Sequence, residues 1–114
     1  MHEMSLTESI VRILDEQAGQ HGFTRIKTVW LEIGELSHVD PESILFCFDA
    51  VSRGSPAAAG AKLEIIRVPG NAWCLDCAES VAIGRRGDPC PRCGGHDLAV
   101  TGGEELRVKE LEVE

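Results

Sequence analysis

Four cysteines form two Cys-x-x-Cys pairs, Cys74-Leu-Asp-Cys77 and Cys90-Pro-Arg-Cys93, with twelve residues between the pairs. Each pair can set two thiolates on one side of a tight turn, and two such turns enclose a tetrahedral zinc(II) at Zn–S distances of about 2.3 Å. Four thiolates leave no position for a substrate water. The site therefore reads as structural, with metal-binding free energy contributing to folding. Gly94-Gly95 gives the second turn a residue that tolerates positive φ, whereas Ala78 fills that place less well after the first pair. A redox dithiol would need only one pair, at a helix N-terminus after a strand, and neither pair has that setting. His96, three residues past Cys93, is either an alternative ligand or a solvated turn histidine. With four softer ligands present, the second reading is the simpler. Cys47 stands apart at a helical core position and reads as a small buried hydrophobe, since no histidine base lies at a telling spacing.

A second constellation sits at Met1-His2-Glu3. A histidine at position two offers a metal its imidazole, its own backbone nitrogen and the amine of residue one, three nitrogens in one plane. The bulk of His2 hinders removal of Met1, so that amine is read as Met1's. The Glu3 carboxylate or amide, or an oxygen from elsewhere such as Asp40, can complete a tetragonal site of the kind that suits nickel(II) or copper(II). A helix N-terminus repels a dication, and acid protonates both amine and imidazole, so affinity falls at low pH. On residue chemistry alone, an ordinary helix lead-in remains the simpler reading. His21 and His38 have no identifiable partner and read as surface residues.

The elements around these residues follow from periodicity. Leu6, Ile10, Ile13, Leu14 and Ala18 recur at helical spacing behind Ser5-Leu6-Thr7-Glu8, which fits a capping box, so a helix is predicted over 5–18, ended by Gly19 and Gly22. Residues 25–36 read as a strand, with Val29, Leu31 and Ile33 on one face and Ile26 and Trp30 on the other. Asp40-Pro41-Glu42 starts a second helix with Asp40 as N-cap; its predicted inner face is Ile44, Leu45, Phe48 and Val51, with Cys47 beside them. A loop over 55–60 leads to a strand over 62–68, closed by Pro69-Gly70. A last strand over 105–113 shifts phase at Leu111 and Val113, as a bulge would make it do. The expected fold class is α+β: a small three-stranded sheet with two helices over 1–70 and 104–114, interrupted by a zinc-ribbon-like insertion at 71–103. That insertion has too few large aliphatics to support itself by burial.

Composition limits the function. With 114 residues the chain holds about one ordinary domain's worth of core. Nineteen acidic against eleven basic side chains give a net charge of −8, which argues against a nucleic-acid or anionic-lipid surface. The absence of a signal segment or membrane span, with five cysteines, suggests a reducing cytoplasm. No phosphate loop, diagnostic carboxylate pair or nucleophile triad is present, so an enzyme is not expected. A zinc-ribbon module that binds only protein or nucleic acid is the competing reading.

In order and content these parts resemble the hydrogenase maturation nickel chaperones of the HypA/HybF family. The matching features are Met1-His2-Glu3, the segment Leu31-Glu32-Ile33-Gly34-Glu35-Leu36-Ser37 leading to Asp40-Pro41-Glu42, a helix ending in Arg53-Gly54, and the two cysteine pairs before a final Glu-Leu-Arg-Val-Lys strand. The resemblance covers essentially the whole chain. It implies a non-enzymatic carrier of Ni(II) in which His2 is the principal ligand, helped by the Met1 amine and Glu3, with Asp40 nearby. Cys74, Cys77, Cys90 and Cys93 would hold structural Zn(II), with His96 as an auxiliary to either site. The implied partners are a GTPase of the maturation pathway, the large subunit of a [NiFe] hydrogenase and, in some organisms, urease accessory proteins. The chain would act as a monomer or homodimer.

Overall fold

The computed structural model describes residues 2–114, and for His2 only the backbone. The elements are α1 (His2–His21), β1 (Ile26–Gly34), α2 (Pro41–Ser52), β2 (Lys62–Val68), β3 (Gly70–Cys74), β4 (Glu79–Ile83), β5 (Leu98–Gly102) and β6 (Leu106–Val113). They form two three-stranded sheets, ordered β2-β1-β6 and β4-β3-β5. The expected α+β class holds, with two helices and small sheets.

The chain divides into two compact units, one of residues 1–31, 39–65 and 108–114, the other of residues 32–38 and 66–107. In the first, Thr7, Ile10, Val11 and Leu14 of α1 are buried, as are Ile44, Cys47 and Phe48 of α2 and Val29 and Leu31 of β1. Both helices present a slightly different stripe from the one periodicity suggested. Ile13 and Leu45 are 46% and 42% exposed, and their places are taken by Val11 and Ser52. The stripe follows residues three and four apart, and Ile13 and Leu45 lie a third of a turn off it.

Helix α1 is longer at both ends than the predicted 5–18. It begins at His2, so Ser5-Leu6-Thr7-Glu8 lies inside the helix and caps nothing. The hydroxyl of buried Thr7 instead donates to the carbonyl of Glu3 at 2.6 Å, a bond to the preceding turn. At the other end the helix passes through Gly19. It stops before Gly22, which takes φ +74° and donates its N–H to the Ala18 carbonyl. Helix α2 begins as its sequence indicates. Asp40 accepts from the Glu42 N–H at 3.3 Å and from the Ser43 hydroxyl at 2.8 Å, and Pro41 occupies the first turn. The 55–60 loop is anchored rather than loose. Asp15 accepts from the Ser55 hydroxyl at 2.6 Å and the Ala57 N–H at 3.3 Å, and Ala57 and Ala58 are buried.

In the second unit, Pro69-Gly70 does not simply close β2, because Gly70 already opens β3. The cysteine-rich segment is an antiparallel sheet whose central strand, β3, pairs Ala72 with Val81 of β4 and with Val100 of β5. Its core consists of Leu36, Ala72, Cys74, Val81, Ile83 and Cys90, with Cys77, Leu98 and Val100 packed against them. Two of the six buried members are thiols, which agrees with the expectation that burial alone is thin here. In β6 the half-buried positions are Leu106, Val108 and Leu111, so the phase of the strand changes between 108 and 111 as its sequence alternation indicates.

Candidate metal centres

The first pair lies where β3 ends and the chain turns toward β4; the second lies in the turn before β5. Both turns have the same local construction. Ala78 N–H donates to the Cys74 carbonyl and Gly94 N–H to the Cys90 carbonyl, each at 2.8 Å, and Ala78 and Gly94 take φ +53° and +74°. Backbone N–H groups then point at sulfur: Cys77 toward Cys74 Sγ, Arg92 toward Cys90 Sγ and Gly95 toward Cys93 Sγ, each at 3.4 Å. Such donors stabilise thiolate over thiol.

The structure brings the four sulfurs within 4.8 Å of one another. A tetrahedron with metal–sulfur spokes of 2.3 Å has edges of about 3.8 Å. The measured separations Cys74–Cys93 and Cys77–Cys90 are 3.7 and 3.9 Å. The donor set and its spacing thus fit a closed structural metal site. Without a metal the thiols are unequal. Backbone N–H groups of Cys93 and Arg92 draw the Cys90 pKa down to about 7, whereas hydrogen bonding to Cys74 and Cys93 pushes Cys77 up to about 12. Cys90 is the first thiolate available to an arriving ion. His96 is exposed and stands outside this cluster.

The positive φ at Ala78 strains an ordinary L-residue, while Gly94 adopts its own without penalty. A Cβ on Gly94 would meet nothing within 4 Å, so only the backbone term is at stake. Ala78→Gly is expected to raise, and Gly94→Ala to lower, the stability of the metal-loaded protein by about 1 kcal/mol each. Denaturant midpoints measured on the two variants check both signs.

In the first unit, the starts of the two helices meet. Asp40 N–H donates to Glu3 Oε2 at 3.4 Å, so the N-cap of α2 stands beside the first turn of α1. The Glu3 carboxyl is held below the usual carboxylate range, mainly by its own backbone N–H and also by that of Asp40. Glu3 and Asp40 line an open cleft of about 380 Å³ together with Met4, Glu42, Ser43, Phe46 and Cys47. The Met1 amine and the His2 imidazole, the remaining members of the expected nickel set, lie outside the described residues. Sequence reasoning did not single out Met4, Ser43 or Phe46 for this cleft. Their signal was available in the helical spacing that sets Ser43 and Cys47 on one side of α2. His21 and His38 are exposed, and Cys47 is buried.

No helix is long and apolar enough to cross a membrane among the described residues. The family described as hydrogenase/urease nickel incorporation, metallochaperone, hypA, matches residues 1–113. The hydrogenase maturation factor HypA of Azotobacter vinelandii is 61% identical, and that of Rhodopseudomonas palustris strain TIE-1 is 56% identical, each over all 114 residues and the full length of both chains. The solution structure of the nickel metallochaperone HypA from Helicobacter pylori matches with a TM-score of 0.72 at 26% identity. It covers 99% of this chain and 97% of the other. The chain belongs to the HypA family of hydrogenase maturation factors, nickel metallochaperones rather than enzymes, with a four-cysteine metal site.

Proposed function

We propose that this protein carries Ni(II) as cargo at the start of α1 and passes it on for assembly of a [NiFe] hydrogenase, while Cys74, Cys77, Cys90 and Cys93 hold a structural Zn(II). In this reading residues 1–70 with 104–114 serve nickel and residues 71–103 serve zinc. The observation that carries the reading is the meeting of Glu3 with Asp40, 37 residues apart in the chain, at the helix turn that begins with His2. The ligand set is His2, with the Met1 amine and Glu3, and with Asp40 close by as an oxygen donor or a clamp on Glu3.

The helical start of α1 sharpens the chemistry. The amide of His2 has no carbonyl four residues before it, so no intrahelical bond must break when that nitrogen turns to a metal. The helix N-terminus carries about half a positive charge, which opposes a dication. Two carboxylates, Glu3 and Asp40, supply the opposite charge. A site on the first turn of an exposed helix can also be dismantled, as release to an acceptor requires. The acceptors in this reading are a GTPase of the maturation pathway and the hydrogenase large subunit, and urease accessory proteins where urease is present. A reducing cytoplasm keeps the thiols free for zinc.

The test uses zinc-loaded, untagged protein with Met1 as its first residue. One nickel per chain is expected, with a planar-type absorption that disappears in His2→Ala and in a version extended at the N-terminus, while zinc content stays constant. Nickel retained in His2→Ala would remove the N-terminal site. Failure of the unaltered protein to take up nickel would leave a zinc-stapled interaction module.

A further inference from the structure

The outward face of the β4-β3-β5 sheet takes no part in either metal centre. Ala72 and Cys74 of β3 turn into the buried cluster, so Asn71, Trp73 and Leu75 alternate onto the opposite side. The register places Ser80 of β4 and Ala99 of β5 on either side of Trp73, and Ala82 beside Asn71. The pairing continues one step beyond β3, where Leu75 N–H donates to the Asp97 carbonyl at 3.0 Å. Side chains as small as serine and alanine do not cover an indole. Trp73 is 40% and Leu75 56% exposed, and they are the exposed large apolar side chains of this unit among the described residues.

One formal charge belongs to this face. Asp97 lies two residues before Ala99 and so on the same side, about 7 Å along the strand from Trp73's neighbour. Its carboxylate makes no ion pair among the described residues, whereas three arginines of the unit are engaged: Arg86 with Glu104, Arg92 with Glu79 and Arg107 with Glu32. The unit contains eight acidic side chains against five arginines. A divalent ion on four thiolates adds a net double negative charge, and one of those thiolates, Cys74, sits directly between Trp73 and Leu75 in the chain.

We infer that this face receives an arginine-bearing segment of a partner protein, its guanidinium stacked on Trp73 and paired with Asp97, its aliphatic stem against Leu75. The ring face of tryptophan attracts cations, and a planar guanidinium both stacks and forks onto a carboxylate. The surrounding negative charge strengthens that attraction and repels nucleic-acid phosphate. A second copy of this chain would bring the same negative field to the contact. Small flanking residues let a peptide backbone approach the ring on both sides.

The experiment follows the indole N–H signals of Trp30 and Trp73 by NMR in zinc-loaded, nickel-free full-length protein, so its outcome is separate from that of the nickel site. The probe is a blocked decapeptide of alternating arginine and serine. The Trp73 signal is expected to move while Trp30 stays, with half-saturation about fivefold higher in Asp97→Asn and no response in the same peptide carrying citrulline for arginine. Trp73→Phe is expected to bind the peptide more weakly than the parent. Each variant is first shown to retain its zinc. An unmoved Trp73, an equal response to the citrulline peptide, or unchanged affinity in Asp97→Asn overturns the inference. So does a Trp73 shift that follows protein concentration without peptide, which would mark a self-contact. A stronger response to oligothymidylate than to the arginine peptide would assign the face to nucleic acid and equally defeat the inference.

Discussion

Gly34→Ala is expected to destabilise the protein by at least about 3 kcal/mol, enough to leave much of it unfolded if total stability is in the usual range of about 5–15 kcal/mol. A Cβ on Gly34 would lie 2.0 Å from the Gly103 carbonyl oxygen, 2.2 Å from its carbon and 2.7 Å from the Glu104 nitrogen. All three obstacles are backbone, so no rotamer change relieves them. The same contact is fixed by two hydrogen bonds, Gly34 N–H to Glu105 O and Leu36 N–H to Gly103 O, both at 2.7 Å. Separating the segments to admit a methyl group breaks both, and each such bond is worth about 1 kcal/mol net, more where the groups stay buried and unpaired. Gly103 itself takes φ +97°, and a Cβ there would stand 2.6 Å from Gly70 Cα, so the neighbour cannot yield. Gly19→Ala is the internal control. It lies within α1 with nothing inside 4 Å of its Cβ, and alanine there is expected to stabilise by about 0.5–1 kcal/mol. Chemical denaturation of the two variants separates backbone approach from helix propensity; Gly34→Ala melting like the parent would show that the two segments part without cost.

That contact also shows where sequence reasoning stops. Element type was legible nearly everywhere in the first unit, because Asp40-Pro41 and the alternation in β1 are local signals that the tertiary structure keeps. Boundaries were less legible. Serine, threonine and glutamate at 5–8 match a cap, yet nothing local reveals that the helix has already begun at His2 or that Thr7 is buried. Gly19 looked like a stop because glycine is a poor helix former, but the residue that stops the helix is the one at positive φ, Gly22. The cysteine pairs announced a metal, since their spacing alone brings paired sulfurs together. The sheet built around them was hidden, because five-residue strands containing alanine, asparagine and glycine carry little β propensity. Leu36, a strand end by sequence, packs with Cys74 and Cys90 because the chain after Gly34 turns into the second unit. The approach of Glu3 to Asp40 joins residues far apart in the chain, and no periodicity encodes it.

Removing the metal from the four thiolates is expected to melt β3, β4 and β5 while α1 and α2 persist. The second unit buries Leu36, Ala72, Val81 and Ile83 as its carbon side chains, and two of these are no larger than valine. By contrast the first unit buries Leu14, Val29, Leu31, Ile44 and Phe48 around its helices. Structural zinc contributes about 10–16 kcal/mol of binding free energy at neutral pH in small zinc-binding peptides, as much as the whole stability of many domains. Acid acts in the same direction as a chelator, because metal binding requires thiolates. Metal-free Cys90 ionises near pH 7 and Cys77 only near 12, so each lowering of pH restores protons that the ion must displace. The four backbone-to-sulfur approaches and the turn bonds from Ala78 and Gly94 then hold neutral thiols, which accept hydrogen bonds weakly, and the strands lose the point that ties their ends together. Amide hydrogen exchange before and after chelation reads this residue by residue. Protection lost over 70–102 and kept at Leu14, Leu31 and Ile44 is the expected pattern, reached without chelator at lower pH. Strands that stay protected without metal would show that the small core and its hydrogen bonds suffice, and the zinc would then have to be a regulator of the unit rather than its support.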